Sequence, residues 1–102
     1  MSAARPASPT GHDVAVVYSE LAGSLGAMSR EEICSRTGLP DRTGREAIAD
    51  LVTFGEPIVS DRGSGGYLLT RDSEKLKSEI GRLRSAASRM LERALALEGH
   101  LR

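Results

Sequence analysis

The clearest local signals in the sequence lie in residues 29–51, SREEICSRTGLPDRTGREAIADL. Ser29 and Glu32 have the spacing of a capping box, in which the serine oxygen accepts from the backbone N–H three residues on while the glutamate bonds back to the N-cap. Gly38 is typical of the residue that follows such a helix, because glycine adopts the left-handed conformation without strain. The sequence therefore predicts a short helix that ends at Thr37.

A second helix is predicted directly after this turn. Pro40 keeps the residue before it out of the helical region, and Asp41 is expected to serve as the N-cap. One face of this helix carries Gly44, Ile48, Leu51 and Val52. Ile33 and Cys34 of the shorter helix are expected to point inward, the cysteine as a small buried hydrophobe. A helix, a three-residue turn with glycine and a second helix are the outline of a helix-turn-helix.

Further elements are predicted on both sides of this pair. Before it, Val14, Val17, Tyr18 and Leu21 have the spacing of one helical stripe, with Asp13 expected as the N-cap and Gly23 as the end. Residues 1–12 contain two prolines and no apolar periodicity, and are expected to form a flexible arm.

A β-hairpin is predicted after the helix pair. Two β-prone runs, residues 58–60 and 67–70, flank the glycine-rich stretch 61–66. Because a two-stranded hairpin is marginal by itself, a third strand is expected from residues 26–28.

The last segment has an unbroken apolar repeat with alternating spacings of four and three residues: Leu76, Ile80, Leu83, Ala87, Met90, Ala94, Leu97 and Leu101. This period is typical of the seam of a left-handed coiled coil. A helix that starts at Asp72 or Ser73 would extend roughly 40 Å, more than one small core can cover. The first two heptads are expected to pack partly within the chain and the remainder on a second copy. The residues expected at that dimer contact are Leu83, Ala87, Met90, Leu91, Ala94, Leu97 and Leu101.

Together these signals predict a mainly α fold with a small β-hairpin (α+β), organised as a domain over residues 13–71 and a long C-terminal helix over residues 72–102. In a parallel coiled coil, opposite charges would face each other at Asp72 and Lys77, Glu79 and Arg84, and Arg93 and Glu98. The orientation, parallel or antiparallel, stays open at this point.

Five segments of the first domain form a recognisable series: SREEI (29–33), TGL (37–39), REAIADL (45–51), GEPI (55–58) and SGGYLL (64–69). In this order they resemble the winged-helix DNA-binding domains of the biotin-repressor type, and the last is similar to that family's Gly-x-Gly-Tyr-x-Leu strand. The resemblance covers the DNA-binding module alone. It implies a winged helix-turn-helix whose hairpin is the wing.

The resemblance implies that the helix over residues 41–54 enters the major groove of duplex DNA. The residues expected to face DNA there are Arg42, Thr43, Arg45, Glu46 and Ala49. Arg45 is expected to bond a guanine, and Arg42 or Thr43 to hold a phosphate. Arg62 in the wing and Arg30 on the preceding helix are expected to reach the DNA backbone. The alternative for each is an ordinary solvated charge, with Arg62 paired to Asp61 and Arg30 to a neighbouring glutamate.

Composition excludes several functional classes. Lys plus Arg and Asp plus Glu both number 14, so no strong overall field attracts polyanions. No run of 18 apolar residues could span a membrane, and the start of the chain lacks the apolar stretch of a signal peptide. The single cysteine excludes internal disulfides and predicts a cytoplasmic setting. No metal ligand set, other cofactor motif or catalytic constellation is found, so neither a cofactor nor an enzymatic activity is expected.

We therefore predict sequence-specific binding of double-stranded DNA by a homodimeric winged-helix protein, a transcriptional regulator. The first alternative is a protein–protein adaptor without DNA binding, which the charge balance favours: residues 29–71 hold six basic and seven acidic side chains. The second is a regulator that senses a small molecule, for which the sequence offers little apolar pocket. The DNA hypothesis requires Arg42 and Arg45 to project into solvent; if ion pairs locked them, or the terminal helix covered them, the adaptor would take its place.

Overall fold

A computed structural model of the protein describes residues 9–101. The helices are α1 (Gly11–Gly23), α2 (Arg30–Thr37), α3 (Asp41–Thr53) and α4 (Ser73–Glu98), and the strands are β1 (Ile58–Asp61) and β2 (Gly66–Leu69). The predicted fold class is confirmed: the chain is mainly helical, with a small antiparallel hairpin and a long C-terminal helix. It divides between Thr70 and Arg71 into a first unit, which holds α1 to β2, and a second unit, which holds α4.

Helix α1 begins three residues earlier than predicted. Thr10, not Asp13, is its N-cap, and Asp13 is the third helical residue of a capping box. The Thr10 hydroxyl accepts from the Asp13 N–H at 3.1 Å, and the Asp13 carboxylate accepts from the Thr10 N–H at 3.0 Å. This reciprocal pair satisfies two backbone donors where a lone Asp13 cap would satisfy one. The expected arm therefore loses residues 11 and 12 to the helix, and its residues 1–8 lie outside the described chain.

Helix α2 begins and ends where the sequence predicts. The Ser29 hydroxyl accepts from the Glu32 N–H, and the Glu32 carboxylate accepts from the Ser29 N–H, both at 3.1 Å. Gly38 follows the helix in the left-handed conformation with φ of 74°, and its N–H donates to the Cys34 carbonyl at 2.8 Å. Helix α2 is thus fixed by local signals at both of its ends.

The core of the first unit lies where α1, α2 and α3 meet the hairpin. It consists of Val17, Leu21, Met28, Ile33, Ala47, Ile48, Leu51 and Ile58. Two expectations about this core are wrong. Val52 is exposed, because the buried stripe of α3 runs through Gly44, Ala47, Ile48 and Leu51. Cys34 is half-buried, because it lies at the edge of the buried face of α2, whose central residue is Ile33.

The hairpin is a two-stranded antiparallel sheet in which Ile58 faces Leu69 and Asp61 faces Gly66. The expected third strand is reduced to a single bridge between Met28 and Tyr67. The N–H of each of these two residues donates to the carbonyl of the other at 2.8 Å. Gly66 is required at its position, because a Cβ there would overlap the Met28 carbonyl.

Helix α4 forms the second unit together with a short 3-10 segment, Gly99–Leu101. The helix starts at Ser73, one of the two predicted starts, and Asp72 is its N-cap, accepting from the N–H groups of Glu74 and Lys75. The α-helical conformation ends at Glu98, three residues before the last apolar residue of the repeat. Leu101 therefore belongs to the 3-10 turn and not to α4.

Candidate functional site

The residues predicted to contact DNA lie on the solvent side of α3. Because Gly44 and the three apolar residues of the buried stripe face the core, the opposite side of the helix is accessible. Arg42, Arg45 and Ala49 are exposed there, and Thr43 and Glu46 are half-buried. None of the five belongs to the buried core.

Arg30 of α2 joins this surface through Asp41, the first residue of α3. Its Nε and Nη2 atoms donate to the two Asp41 carboxylate oxygens at 2.9 and 2.6 Å. The Nε of Arg45 donates to the same carboxylate at 3.0 Å. One carboxylate thus serves two guanidinium groups, and we call these three residues the Asp41 cluster. Since it holds two positive charges and one negative charge, its net charge is positive.

The hydrogen bonds between Arg30 and Asp41 shift the pKa of both groups. The hydrogen bond from Arg30 is the main reason that the pKa of the Asp41 carboxyl lies below its ordinary value, and the Arg45 charge acts in the same direction. The bond to Asp41 likewise raises the pKa of Arg30. Both shifts favour the charged forms of Arg30 and Asp41.

The expected N-cap of α3 is wrong. The N-cap is Pro40, which offers no side-chain hydrogen bond. Asp41 lies one position further on, and its carboxylate bonds the Arg30 guanidinium, because charge-assisted bonds are stronger than those to neutral donors. The first N–H groups of α3 therefore receive no side-chain cap, and such groups form a ready site for an anion. The expected alternative partners of Arg30 on its own helix are replaced by this residue of α3.

The arginines of α3 are exposed but are engaged in ion pairs, which the DNA hypothesis did not expect. The Arg42 Nε lies 3.6 Å from the Glu46 carboxylate, with 68% of the arginine side chain exposed. Arg45 is 50% exposed, and within residues 9–101 its terminal nitrogens form no hydrogen bond. Exposed pairs of this kind contribute only about 0.2–1 kcal/mol. They hold the side chains loosely and do not lock them.

Arg62 lies in the turn between β1 and β2 and is exposed. Its expected alternative partner, Asp61, accepts instead from the N–H and the hydroxyl of Ser64, at 3.0 and 2.6 Å. The aspartate thereby shapes the turn. Over the part of the chain that is described, Arg62 has no ion pair, so its charge is available to a ligand.

The residues predicted to form a dimer lie on an exposed apolar stripe of the second unit. No residue of α4 is buried. Ile80 and Leu83 are about half exposed, and exposure rises to 69% at Leu97. The other members, Ala87, Met90, Leu91, Ala94 and Leu101, are exposed as well. Within the described part of this unit, no element packs over these side chains, and exposed apolar patches of this length mark interaction surfaces.

Sequence reasoning missed the role of Asp41. Its pairing with Arg45, four residues further on, follows an ordinary helical rule and could have been found from the spacing. Its pairing with Arg30, eleven residues earlier, has no signal in the sequence. The structure also adds an ion pair between Arg36 and Glu20, at 3.9 Å, that links α2 to α1.

Comparison with protein-family models, curated proteins and solved structures finds no significant match for this chain. Among residues 9–101, no helix is long and apolar enough to cross a membrane. The same residues contain no group of three His, Cys, Asp or Glu side chains placed to hold a metal ion. Any functional conclusion therefore rests on the surfaces of α3, the hairpin and α4.

Proposed function

We propose that this protein is a homodimeric winged helix-turn-helix protein that binds duplex DNA in a sequence-specific manner and regulates transcription. The observation that carries the proposal is the N-terminal half of α3. Three arginines, Arg30, Arg42 and Arg45, surround a first helical turn that has no side-chain cap. Guanidinium groups and unsatisfied backbone N–H groups donate hydrogen bonds to phosphate oxygens and to the acceptor atoms of base edges.

The order of the elements supports a winged helix. A tight glycine turn joins α2 to α3, and the hairpin follows α3 with Arg62 in its turn. In a helix-turn-helix the second helix presents its N-terminal residues to the major groove. Arg45 would then contact a base, while Arg62 and Arg30 would contact the backbone.

The ion pairs of α3 are compatible with this proposal. A DNA phosphate competes with Asp41 and Glu46 for exposed guanidinium groups, and each exposed pair that is exchanged costs only about 0.2–1 kcal/mol. Within the described residues, the terminal nitrogens of Arg45 form no hydrogen bond. We expect a modest affinity, because the basic and acidic side chains of residues 29–71 nearly balance.

Dimerisation through α4 belongs to the same proposal. Two linked DNA-binding domains bind more tightly than one, because the second contact becomes intramolecular. A two-fold dimer is expected to prefer an inverted repeat, with half-sites separated by one or more turns of about 34 Å. The single cysteine fits a cytoplasmic location.

The experiment is a binding titration on genomic fragments at about 50 and 200 mM salt. We expect a shift at micromolar protein that weakens at the higher salt. Arg45→Ala should reduce discrimination between sequences by about 1–3 kcal/mol at one position, whereas Arg62→Ala should weaken all sequences alike. Arg89→Ala is the matched control, because it removes the same charge from an exposed site on α4. Absence of any shift at low salt would contradict the proposal.

A second candidate is a protein–protein adaptor without DNA binding. Phe54, directly after α3, is 74% exposed, and Val52 beside it is also exposed. These apolar side chains offer a docking point that a purely DNA-binding helix does not need. The adaptor gains support if no fragment is shifted at low salt and if a partner that the wild-type chain binds is lost with Phe54→Ser but retained with Arg45→Ala.

A further inference from the structure

The apolar stripe of α4 has a symmetry that bears on how two copies pair. Its spacings of four and three residues have the same order when they are read from either end. A second copy that runs in the opposite direction can therefore match the stripe from Ile80 to Leu97, all of which lies within α4. In that register Ile80 faces Leu97, Leu83 faces Ala94, and Ala87 faces Met90.

The side-chain sizes along the stripe favour this antiparallel register. A parallel pair places Ala87 on Ala87 and Ala94 on Ala94, on either side of a layer formed by two Met90 side chains. Two thin layers next to a thick one leave gaps at a uniform helix separation, and gaps in a packed seam are destabilising. In the antiparallel pair, each alanine faces a leucine or a methionine. The thickness of the layers then changes smoothly, from two large side chains at the ends to one large and one small in the middle.

The charges beside the stripe favour the same direction. Two acidic residues that a parallel pair would use are engaged within the helix. Asp72 caps it by accepting from two backbone N–H groups. Both carboxylate oxygens of Glu79 accept from Arg82, at 3.1 and 2.8 Å.

The antiparallel pair has its own complementary charges. It places Lys77 of each copy beside Glu98 of the other. Both residues directly follow a leucine of the stripe, and in an antiparallel pair the positions on the same side of the stripe face each other. Lys77 is exposed, with a long contact of 3.8 Å to Glu74, and Glu98 is exposed at the end of α4. Two such pairs form in each dimer.

We infer that α4 pairs with a second copy of the chain in antiparallel orientation, about a two-fold axis between Ser88 and Arg89. The inference rests on the proposed homodimer and adds the direction of its helices. Since α4 begins at Ser73, about 15 residues before the axis, its two N-terminal ends then lie roughly 46 Å apart. The connections to the two first units leave from opposite ends of the helix pair, whereas a parallel pair would place both at one end.

A charge-exchange cycle tests the orientation. Lys77→Glu and Glu98→Lys are each expected to raise the dimer Kd roughly threefold to tenfold, because each change replaces two attractive pairs by two repulsive ones. The double variant restores both pairs and should return Kd close to that of the wild type. In a parallel dimer the double variant would instead place the introduced carboxylate opposite Asp72 and the introduced ammonium group opposite Arg93. It would then dimerise less well than either single variant, which would overturn the inference.

Matched controls make the same charge changes outside the seam. Lys75→Glu and Glu92→Lys lie at exposed positions of α4 away from the stripe and should leave Kd unchanged. Sedimentation equilibrium at low salt gives Kd for the wild type, the three charge-exchange variants and the two controls. A wild-type chain that stays monomeric would contradict the homodimer itself. A wild-type dimer without rescue in the double variant would contradict the orientation alone.

Disulfide formation gives a second measurement that does not depend on charge. In a Cys34→Ser background, Leu83→Cys and Ala94→Cys chains are oxidised separately and as a mixture in which one chain carries a mass tag. The antiparallel pair predicts a disulfide between the two different chains in the mixture. It predicts none in either chain alone, because like positions are then about 16 Å apart along the axis. Efficient cross-linking of Ala94→Cys with itself would overturn the inference.

Discussion

At Gly66, a single hydrogen atom in place of a side chain allows the hairpin to lie against the segment before α2. The Met28 carbonyl occupies the space that a Cβ would need. This close approach permits both hydrogen bonds between Met28 and Tyr67. Gly44, by contrast, lies in α3, where a Cβ would lie 3.6 Å from the Ile33 side chain, an ordinary contact. The two glycines therefore differ in what they do for the fold.

We predict opposite effects of the same substitution at these two glycines. Gly66→Ala should destabilise the protein by roughly 2–4 kcal/mol, because it separates Met28 from Tyr67 and breaks two backbone hydrogen bonds. Gly44→Ala, the matched control, should stabilise it by roughly 0.5–1 kcal/mol through the higher helix propensity of alanine. Denaturant unfolding followed by circular dichroism measures both. Equal stabilities of the two variants would show that the bridge contributes nothing.

At the scale of the elements, the Asp41 cluster links α2 to α3 across their turn. Arg30 lies at the start of α2 and Asp41 at the start of α3, so their bidentate bond joins the two helix N-termini. Arg45 joins them from the second turn of α3. The positions of Arg30 and Arg45 on the surface proposed for DNA contact thus depend on the Asp41 carboxylate, which would itself repel DNA phosphates.

We predict that Asp41 adds an acid-dependent part to the stability. The pKa of its carboxyl is lower in the folded protein than in the unfolded chain. Its contribution is therefore complete above the unfolded pKa of about 3.9 and is lost as the pH falls through the lower folded value. Thermal melts of Asp41→Asn should show a smaller loss of Tm between neutral pH and about pH 3 than the wild type. Asp50→Asn is the control, because it removes a carboxylate from the same helix and leaves the Arg30–Asp41 bond in place.

The same variant has a consequence for binding. Asp41→Asn removes a negative charge beside Arg30 and Arg45, so we expect it to bind DNA more tightly and with a steeper salt dependence than the wild type. An unchanged affinity would place the DNA contact elsewhere on the molecule.

At the scale of the whole molecule, the two units differ in how they treat their main apolar surface. The first unit buries its own apolar core, whereas the second exposes a stripe that is longer than a single helix can cover. The apolar surface available for association is therefore separate from the apolar core that stabilises the first unit. The zero net charge of the chain places no electrostatic obstacle in the way of that association.

If the proposed dimer forms through α4, removal of residues 85–102 should convert it to a monomer and weaken the proposed DNA binding about 10²–10⁴-fold, through the loss of the second, linked contact. Sedimentation and the DNA titration measure the two effects. Leu97→Glu in the full chain should have the same effect by placing a charge in the seam, while Arg89→Glu outside the seam should not. A truncated chain of unchanged mass state would refute dimerisation through α4.

The sequence by itself determined the features that depend on short spacings. The capping box at Ser29, the left-handed Gly38 and the apolar period of α4 follow from residues within a few positions of one another, where backbone geometry fixes which groups meet. The fold class followed from these signals. The same rules failed at Asp13 and Asp41, because each position offered its carboxylate two uses and local spacing does not rank them.

Only the tertiary structure decided which distant groups meet. The Arg30–Asp41 bond, the single bridge of Met28 to Tyr67 and the requirement for glycine at position 66 join residues that are eleven or more positions apart, or depend on such a pair. These contacts exist because the core brings α2, α3 and the hairpin together. Burial of apolar surface, rather than any preference of the residues concerned, selects that arrangement.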